Sequence, residues 1–240
     1  MAALVVVLQF EPISQNPAYH HFADEMPLAG ITNFWNVVSN IGFVIIGIIG
    51  FVIVLRSTVN RILKITFSTL FIGVLLTGIG SAYYHLHPDN DRLVFDRIPM
   101  TLVFMSFLSA AIVQCINRIW GLALLFPLVC VGTVSVLWWQ YTETKGAGDL
   151  RYYGLVQFLP LLLVPLIFIL FPSVKNRKIW PYFGWIIGWY ALAKIFEHYD
   201  TEILQITKVI SGHSLKHIAA SIATVYFINI FKETGRDQLI

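Results

Sequence analysis

Five residues capable of chemistry fall at spacings that bring them together. Ser81 and His85 are four apart in "GSAYYH", His213 and His217 are four apart in "GHSLKH", and Asp96 follows eleven residues after His85 in "FDRIPM". Residues four apart share one face of a helix, so each pair presents two groups one turn apart. Three imidazoles are a donor set of catalytic zinc sites, which keep a fourth position for water and bring its pKa towards about 7. A carboxylate beside such a water can take its proton and return it to a leaving amine. A hydroxyl there can stabilise the oxyanion of an acyl-transfer intermediate. The pattern predicts His85, His213 and His217 as metal ligands, Asp96 as general base and then acid, and Ser81 as oxyanion donor. Ser81 as the nucleophile is the second route.

Four further histidines, His20, His21, His87 and His198, fall on the same side of the expected topology. The first three read as surface groups. His198, directly after Glu197, is a rival ligand or a hydrogen-bond partner of one. Ser214 follows His213 and no glutamate separates the two helix-borne histidines, so the HExxH arrangement of zincin proteases is absent.

The elements that must position these groups are membrane helices. The chain has 240 residues, 57% hydrophobic and 12% charged, with a mean hydropathy of +0.73; soluble domains carry roughly a quarter charged residues. Seven apolar runs, at 34–55, 63–86, 98–117, 119–139, 152–171, 179–197 and 211–231, are long enough to span a bilayer as helices. They lack the alternation of barrel strands. The expected fold is an all-α, polytopic seven-helix bundle: a surface segment over 1–33, the spanning domain over 34–231, and a short tail over 232–240. Cys115 and Cys130 have no paired spacing, so no disulfide framework or cysteine metal site is indicated. A net charge of +3, scattered through loops, excludes a nucleic-acid surface.

Basic residues set the orientation. Arg56, Arg61, Lys64, Arg118, Lys175, Arg177, Lys178, Lys232 and Arg236 mark one side, against Arg92, Arg97, Lys145, Arg151 and Lys208 on the other. The richer side is expected to be cytoplasmic, which places the N-terminus outside and the C-terminus inside. All but two of the 13 acids, and all seven histidines, then lie on the outer side. Chemistry is expected there, at the non-cytoplasmic edge. Elsewhere, Asn36 and Asn40 read as interhelical hydrogen-bonding groups, Lys194 and Glu197 as a mutually neutralising pair, and Lys216 as a side chain pointing away from the metal. Asp149, Arg151, Tyr153 and Gln157 are candidate contacts for a polar headgroup or caps of the fifth helix.

"GSAYYH", the aspartate of "FDRIPM", an early "NFWNVVSN" and the final "GHSLKH" together resemble the alkaline ceramidases. These belong to a superfamily that also holds adiponectin-receptor-like proteins and lipid-remodelling membrane hydrolases. The resemblance runs from about residue 19 to about residue 230, and "YHHFADEMPLAGITNFWNVVSN" is closer to the bacterial ceramidase-like branch. It implies a zinc-dependent hydrolase of a lipid amide in a bacterial cell membrane, with His85, His213 and His217 as zinc ligands and Ser81 and Asp96 as their companions. In animal members an acidic N-terminal cluster and a glutamate just before "FWN" bind calcium. Asn33 stands at the glutamate's position, with Asp24 and Glu25 nearby as the remaining candidate calcium ligands. The implied partner is a lipid entering from the bilayer. Competing expectations are a receptor or sensor with structural zinc, a hydrolase of another acyl lipid, and a proton-relaying transporter. The last lacks an inverted repeat and a midplane site.

Overall fold

The computed structural model describes residues 2–172 and 174–236; Ser173 and the last four residues of the expected tail lie outside that description. Among the described residues the regular structure is helical. A short helix α1 (Ala2–Val7) and a 3-10 turn (Pro17–His20) precede α2 (Phe34–Val38) and α3 (Ile41–Arg56). Then come α4 (Arg61–Leu86), α5 (Asn90–Cys115), α6 (Arg118–Thr144), α7 (Arg151–Leu170), α8 (Val174–His198), α9 (Asp200–Thr207) and α10 (Gly212–Arg236).

Six of these are long and apolar enough to cross a membrane: Phe34–Arg56, Arg61–Leu86, Asn90–Cys115, Arg118–Thr144, Arg151–Leu170 and Gly212–Arg236. This is a multi-pass membrane protein. The helix expected at 179–197 is present as α8, 25 residues long and packed along α10. It falls outside the apolar six; Lys194 and Glu197 lie in its last turns.

Boundaries differ from the hydropathy runs where polar residues extend a helix. Asp89 accepts the Arg92 amide at 2.7 Å and caps α5, so α5 begins eight residues before the apolar signal and carries Asp96 in its second turn. Asn60 and Asn117 cap α4 and α6 in the same way. α6 continues to Thr144, and α10 to Arg236, beyond their apolar stretches. The first apolar run is interrupted after Val38. There the Ser39 hydroxyl and the Asn40 amide both donate to the Asn36 carbonyl, competing with the helix ladder.

α4 packs on α3 and α5, α5 on α6, and α10 on α8 and α3. One half of the bundle is a continuous apolar core built around Phe67, Phe71, Phe107, Phe183, Phe227 and Phe231. The polar site occupies the other end. Two glycines let backbones meet there: a Cβ on Gly80 would collide with the Phe95 carbonyl of α5, and one on Gly212 with the Phe196 carbonyl of α8. These contacts fix Ser81 beside Asp96 and hold the start of α10 under the end of α8.

Candidate metal centre and its cavity

His85 ends α4 and His213 and His217 begin α10, and the three are brought together as the spacing predicted. Their nitrogens lie within 4.8 Å of one another, the one grouping among the described residues with metal-binding donors so arranged. The rings form a nearly equilateral triangle, with centroid separations of 4.9 Å for His85–His213, 4.8 Å for His85–His217 and 4.8 Å for His213–His217. All three are buried. His85 Nε2 and His213 Nε2 are 3.4 Å apart. A tetrahedral ion holding nitrogens at about 2.0–2.1 Å sets them roughly 3.3–3.4 Å apart, so this pair has the spacing of a zinc-sized ion, and a His217 nitrogen lies within 4.8 Å of both.

Of the neighbours of these rings, only Asn36 and Asn40 carry a sequence signal, as interhelical hydrogen-bonding groups. Ser39 Oγ lies 2.9 Å from His217 Nδ1. Asn36 accepts from the Ser214 hydroxyl at 2.7 Å and donates to the Asp24 carbonyl at 2.9 Å, tying α2 to α10 and to the N-terminal segment. Asp200, in the unexpected helix α9, accepts the His213 amide at 2.6 Å and the Ala23 amide at 2.9 Å. That bridge seats Phe22 over the site, its ring 4.7 Å from His85 and 4.3 Å from His213. The N-terminal segment thus roofs the centre, and only long-range contacts show it.

His20 spans Tyr84 Oη and Asn90 Oδ1, both at 2.9 Å. His21, His87 and His198 are exposed, and none of the four joins the cluster. His198 is not a rival ligand here: it sits at the exposed end of α8, its ring against Tyr199. At the expected calcium position, Asn33 donates to the His85 carbonyl at 2.8 Å. Asp24 is fully buried with one oxygen on the Met26 amide and the other unpartnered. Its burial pushes the Asp24 carboxyl above its usual range, with Asp200 adding to the shift. Calcium takes six to eight oxygens; Glu25 is exposed, and among the described residues neither it nor Asp24 belongs to a group of three or more clustered ligand side chains. These residues therefore do not fit a calcium ion.

Ser81 is buried and, where α4 and α5 meet at Gly80, sits close to Asp96. Both line a cavity of about 820 Å³ together with His217, Lys216, Glu197 and Arg97 at its polar end. The rest of the wall is aliphatic and aromatic, from α5, α7, α8 and α10, with Val6, Val7, Phe10 and Ile13 of the N-terminal segment completing it. α7 and α8 touch where Phe168 meets Trp180 and Phe183. Towards the polar end the cavity lies between them, crossed by the Gln157 amide donating to Tyr190 Oη at 3.3 Å.

Lys216 does not turn away, as the sequence led one to expect; it lines the cavity and pairs with Glu197 at 2.9 Å. Glu197 also meets Lys194 at 2.6 Å. Asp149 pairs with Arg151 at 2.8 Å, whose guanidinium holds the Asp149 carboxyl below its usual range. Arg151 also donates to the Phe10 carbonyl, the Leu150 amide to the Ile13 carbonyl, and the Gln15 amide to Glu143. These bonds fasten the N-terminal segment to the α6–α7 connection.

The fold and site define a polytopic helical membrane protein with a buried three-histidine cluster whose His217 lines an apolar cavity. Residues 28–236 match the Ceramidase family over most of the chain, and the protein belongs to that family. Family membership supports a hydrolase of ceramidase type with a lipid substrate. No individual curated protein matches the chain.

Proposed function

We propose that this protein is a zinc-dependent integral-membrane amidohydrolase that cleaves an N-acyl lipid of ceramide type to a fatty acid and a free amine. The observation that carries the reading is a cluster of three buried histidines of which His217 lines an apolar cavity together with Ser81 and Asp96. His85, His213 and His217 would hold a zinc ion, which would supply Lewis acidity and an acidified water. Asp96 takes the proton of the attacking water and delivers it to the departing nitrogen as the C–N bond breaks. The Ser81 hydroxyl, on the same cavity wall as Asp96, donates to the oxyanion that develops on the acyl carbonyl. Phe22 keeps bulk water off the histidines, and the apolar walls take the acyl chains.

The parting of α7 and α8 beside the cavity gives a lipid a lateral route from the bilayer. We take α8 as the seventh span, the N-terminus and the site as non-cytoplasmic, and a bacterial cell membrane as the location. The open cavity beside Asp96 favours hydrolysis over a receptor with a purely structural ion, which has no need of one. Turnover of a lipid amide by Asp96→Asn and Ser81→Ala variants tests the reading. Metal content is expected to stay at the wild-type level while kcat falls by about 10²–10⁴ for Asp96→Asn and 10²–10³ for Ser81→Ala. Wild-type turnover in both variants with metal retained overturns it.

A further inference from the structure

The polar end of the cavity holds more positive charge than its own acids answer. Arg97, Lys194 and Lys216 line it alongside Asp96 and Glu197. Glu197 alone serves both lysines, and Arg151, on the same wall, is taken by Asp149. Among the described residues Asp96 forms no ion pair with any of these cations. Among the described residues no ion pair joins Arg97, although it is only 5% exposed.

The surroundings of Arg97 hold it in place without neutralising it. Its guanidinium carbon lies 4.1 Å from the Trp139 ring, 4.8 Å from Tyr153 and 5.7 Å from Tyr19. Nη2 donates to the neutral Gln15 Oε1 at 2.6 Å, and Nη1 is buried with no hydrogen-bond partner. Aromatic faces are partial partners for a cation. A guanidinium is best satisfied in its own plane by a group with two anionic oxygens, and that is the partner missing here. Arg97, Lys216 and Glu197 line the same cavity as Asp96, Ser81 and His217. The unanswered charge is therefore at the reacting end of the cavity, not at its apolar end.

We propose that this end is a subsite for an oxyanion on the lipid, with Arg97 as its forked partner and Lys216 as the second cation. The substrate is then an N-acyl lipid whose headgroup carries a phosphate-type or carboxylate anion rather than neutral hydroxyls alone. That substrate class rests on the amidohydrolase reading; the anion site rests on the charge arrangement. A released fatty acid offers the same chemistry, so the test must separate headgroup from product.

The zinc-loaded full chain in neutral detergent is titrated with dodecyl phosphate, with dodecanoate and with inorganic phosphate, following thermal stability, and is assayed on matched N-acyl lipids with phosphorylated and neutral headgroups. Saturable stabilisation by dodecyl phosphate, lost in Arg97→Met and partly kept in Arg97→Lys, is expected. So is a kcat/KM about 10- to 100-fold higher for the phosphorylated lipid, a preference that Arg97→Met abolishes and Lys216→Met, which leaves the aromatic cage intact, reduces. Equal loss on both lipids in Arg97→Met with the preference intact in Lys216→Met marks a structural arginine and overturns the proposal. Tighter binding of dodecanoate without any headgroup preference assigns the anion to product and overturns the substrate class, and saturation by inorganic phosphate alone, without discrimination among lipids, overturns it as well. If neither lipid is cleaved, the hydrolase reading fails, while loss of dodecyl phosphate binding in Arg97→Met still upholds the anion site.

Discussion

Ser39→Ala isolates the step on which the donor set depends, the tautomer of His217. Ser39 is buried, and its hydroxyl lies 2.9 Å from His217 Nδ1 while donating to the Asn36 carbonyl. In that chain the imidazole N–H donates to Oγ, which fixes the proton on Nδ1 and leaves Nε2 for an ion. The Asn40 amide pulls the other way, since as a donor to Nδ1 it favours a proton on Nε2. It is farther, at 3.3 Å, and already donates to the Asn36 carbonyl at 2.8 Å, so Ser39 prevails. Removing the hydroxyl removes the closest hydrogen-bonding side chain at Nδ1 and leaves the Asn40 amide at 3.3 Å. Loss of a hydrogen bond behind a ligating histidine lowers metal affinity about 10- to 100-fold, or about 1.4–2.7 kcal/mol. Competition of the purified variant with a chromophoric zinc chelator reads this directly. Zinc Kd is expected to rise within that range, with kcat at saturating zinc little changed; a Kd within about threefold of wild type refutes the tautomer reasoning.

Other perturbations reach the packing beneath the site. Gly80→Ala drives a methyl into the Phe95 carbonyl; because the obstacle is backbone, Tm and activity are expected to fall together, by at least the ~1–3 kcal/mol of an overpacked core, and a wild-type Tm contradicts the backbone contact. Asp24→Asn is expected to stabilise the protein at pH 8 and to have less effect near pH 5. The folded carboxyl has a raised pKa, so the folded state binds more protons than the unfolded chain and loses stability as pH rises. Asparagine keeps the oxygen that accepts from Met26 and removes the titration. Melting curves of both proteins at the two pH values decide it, and a variant less stable at pH 8 than wild type contradicts the burial account.

The chemistry was more legible than its setting. Ser81, His85, His213 and His217 announce themselves because helical periodicity turns a spacing of four into a shared face, and topology brings two helix ends to one edge. Asp96 was placed at a helix start; polar Asn90 to Arg92 carry no hydropathy signal, and only the Asp89 cap shows that α5 begins earlier. Asn36 was legible as an interhelical hydrogen-bonding group, but Phe22, Ser39 and Asp200 were missed as parts of the site because most of their contacts are distant in sequence and leave no local period. The direction of Lys216 was misjudged for a related reason. A lysine beside a metal is expected to avoid it, but Glu197, nineteen residues earlier on α8, supplies the counter-charge that lets it stay on the cavity wall. Helix α9 is short and amphipathic, below any spanning threshold, yet it carries the carboxylate that joins roof to site.

Metal content and lipid-amide turnover, measured on the same purified samples, test the central claim most directly. Wild-type protein is expected to hold about one zinc per chain and to release fatty acid from an N-acyl lipid, with both lost on chelation, restored by zinc, and absent in His213→Ala. Metal-free protein with full turnover, or His213→Ala protein that keeps its zinc and its activity, contradicts the account.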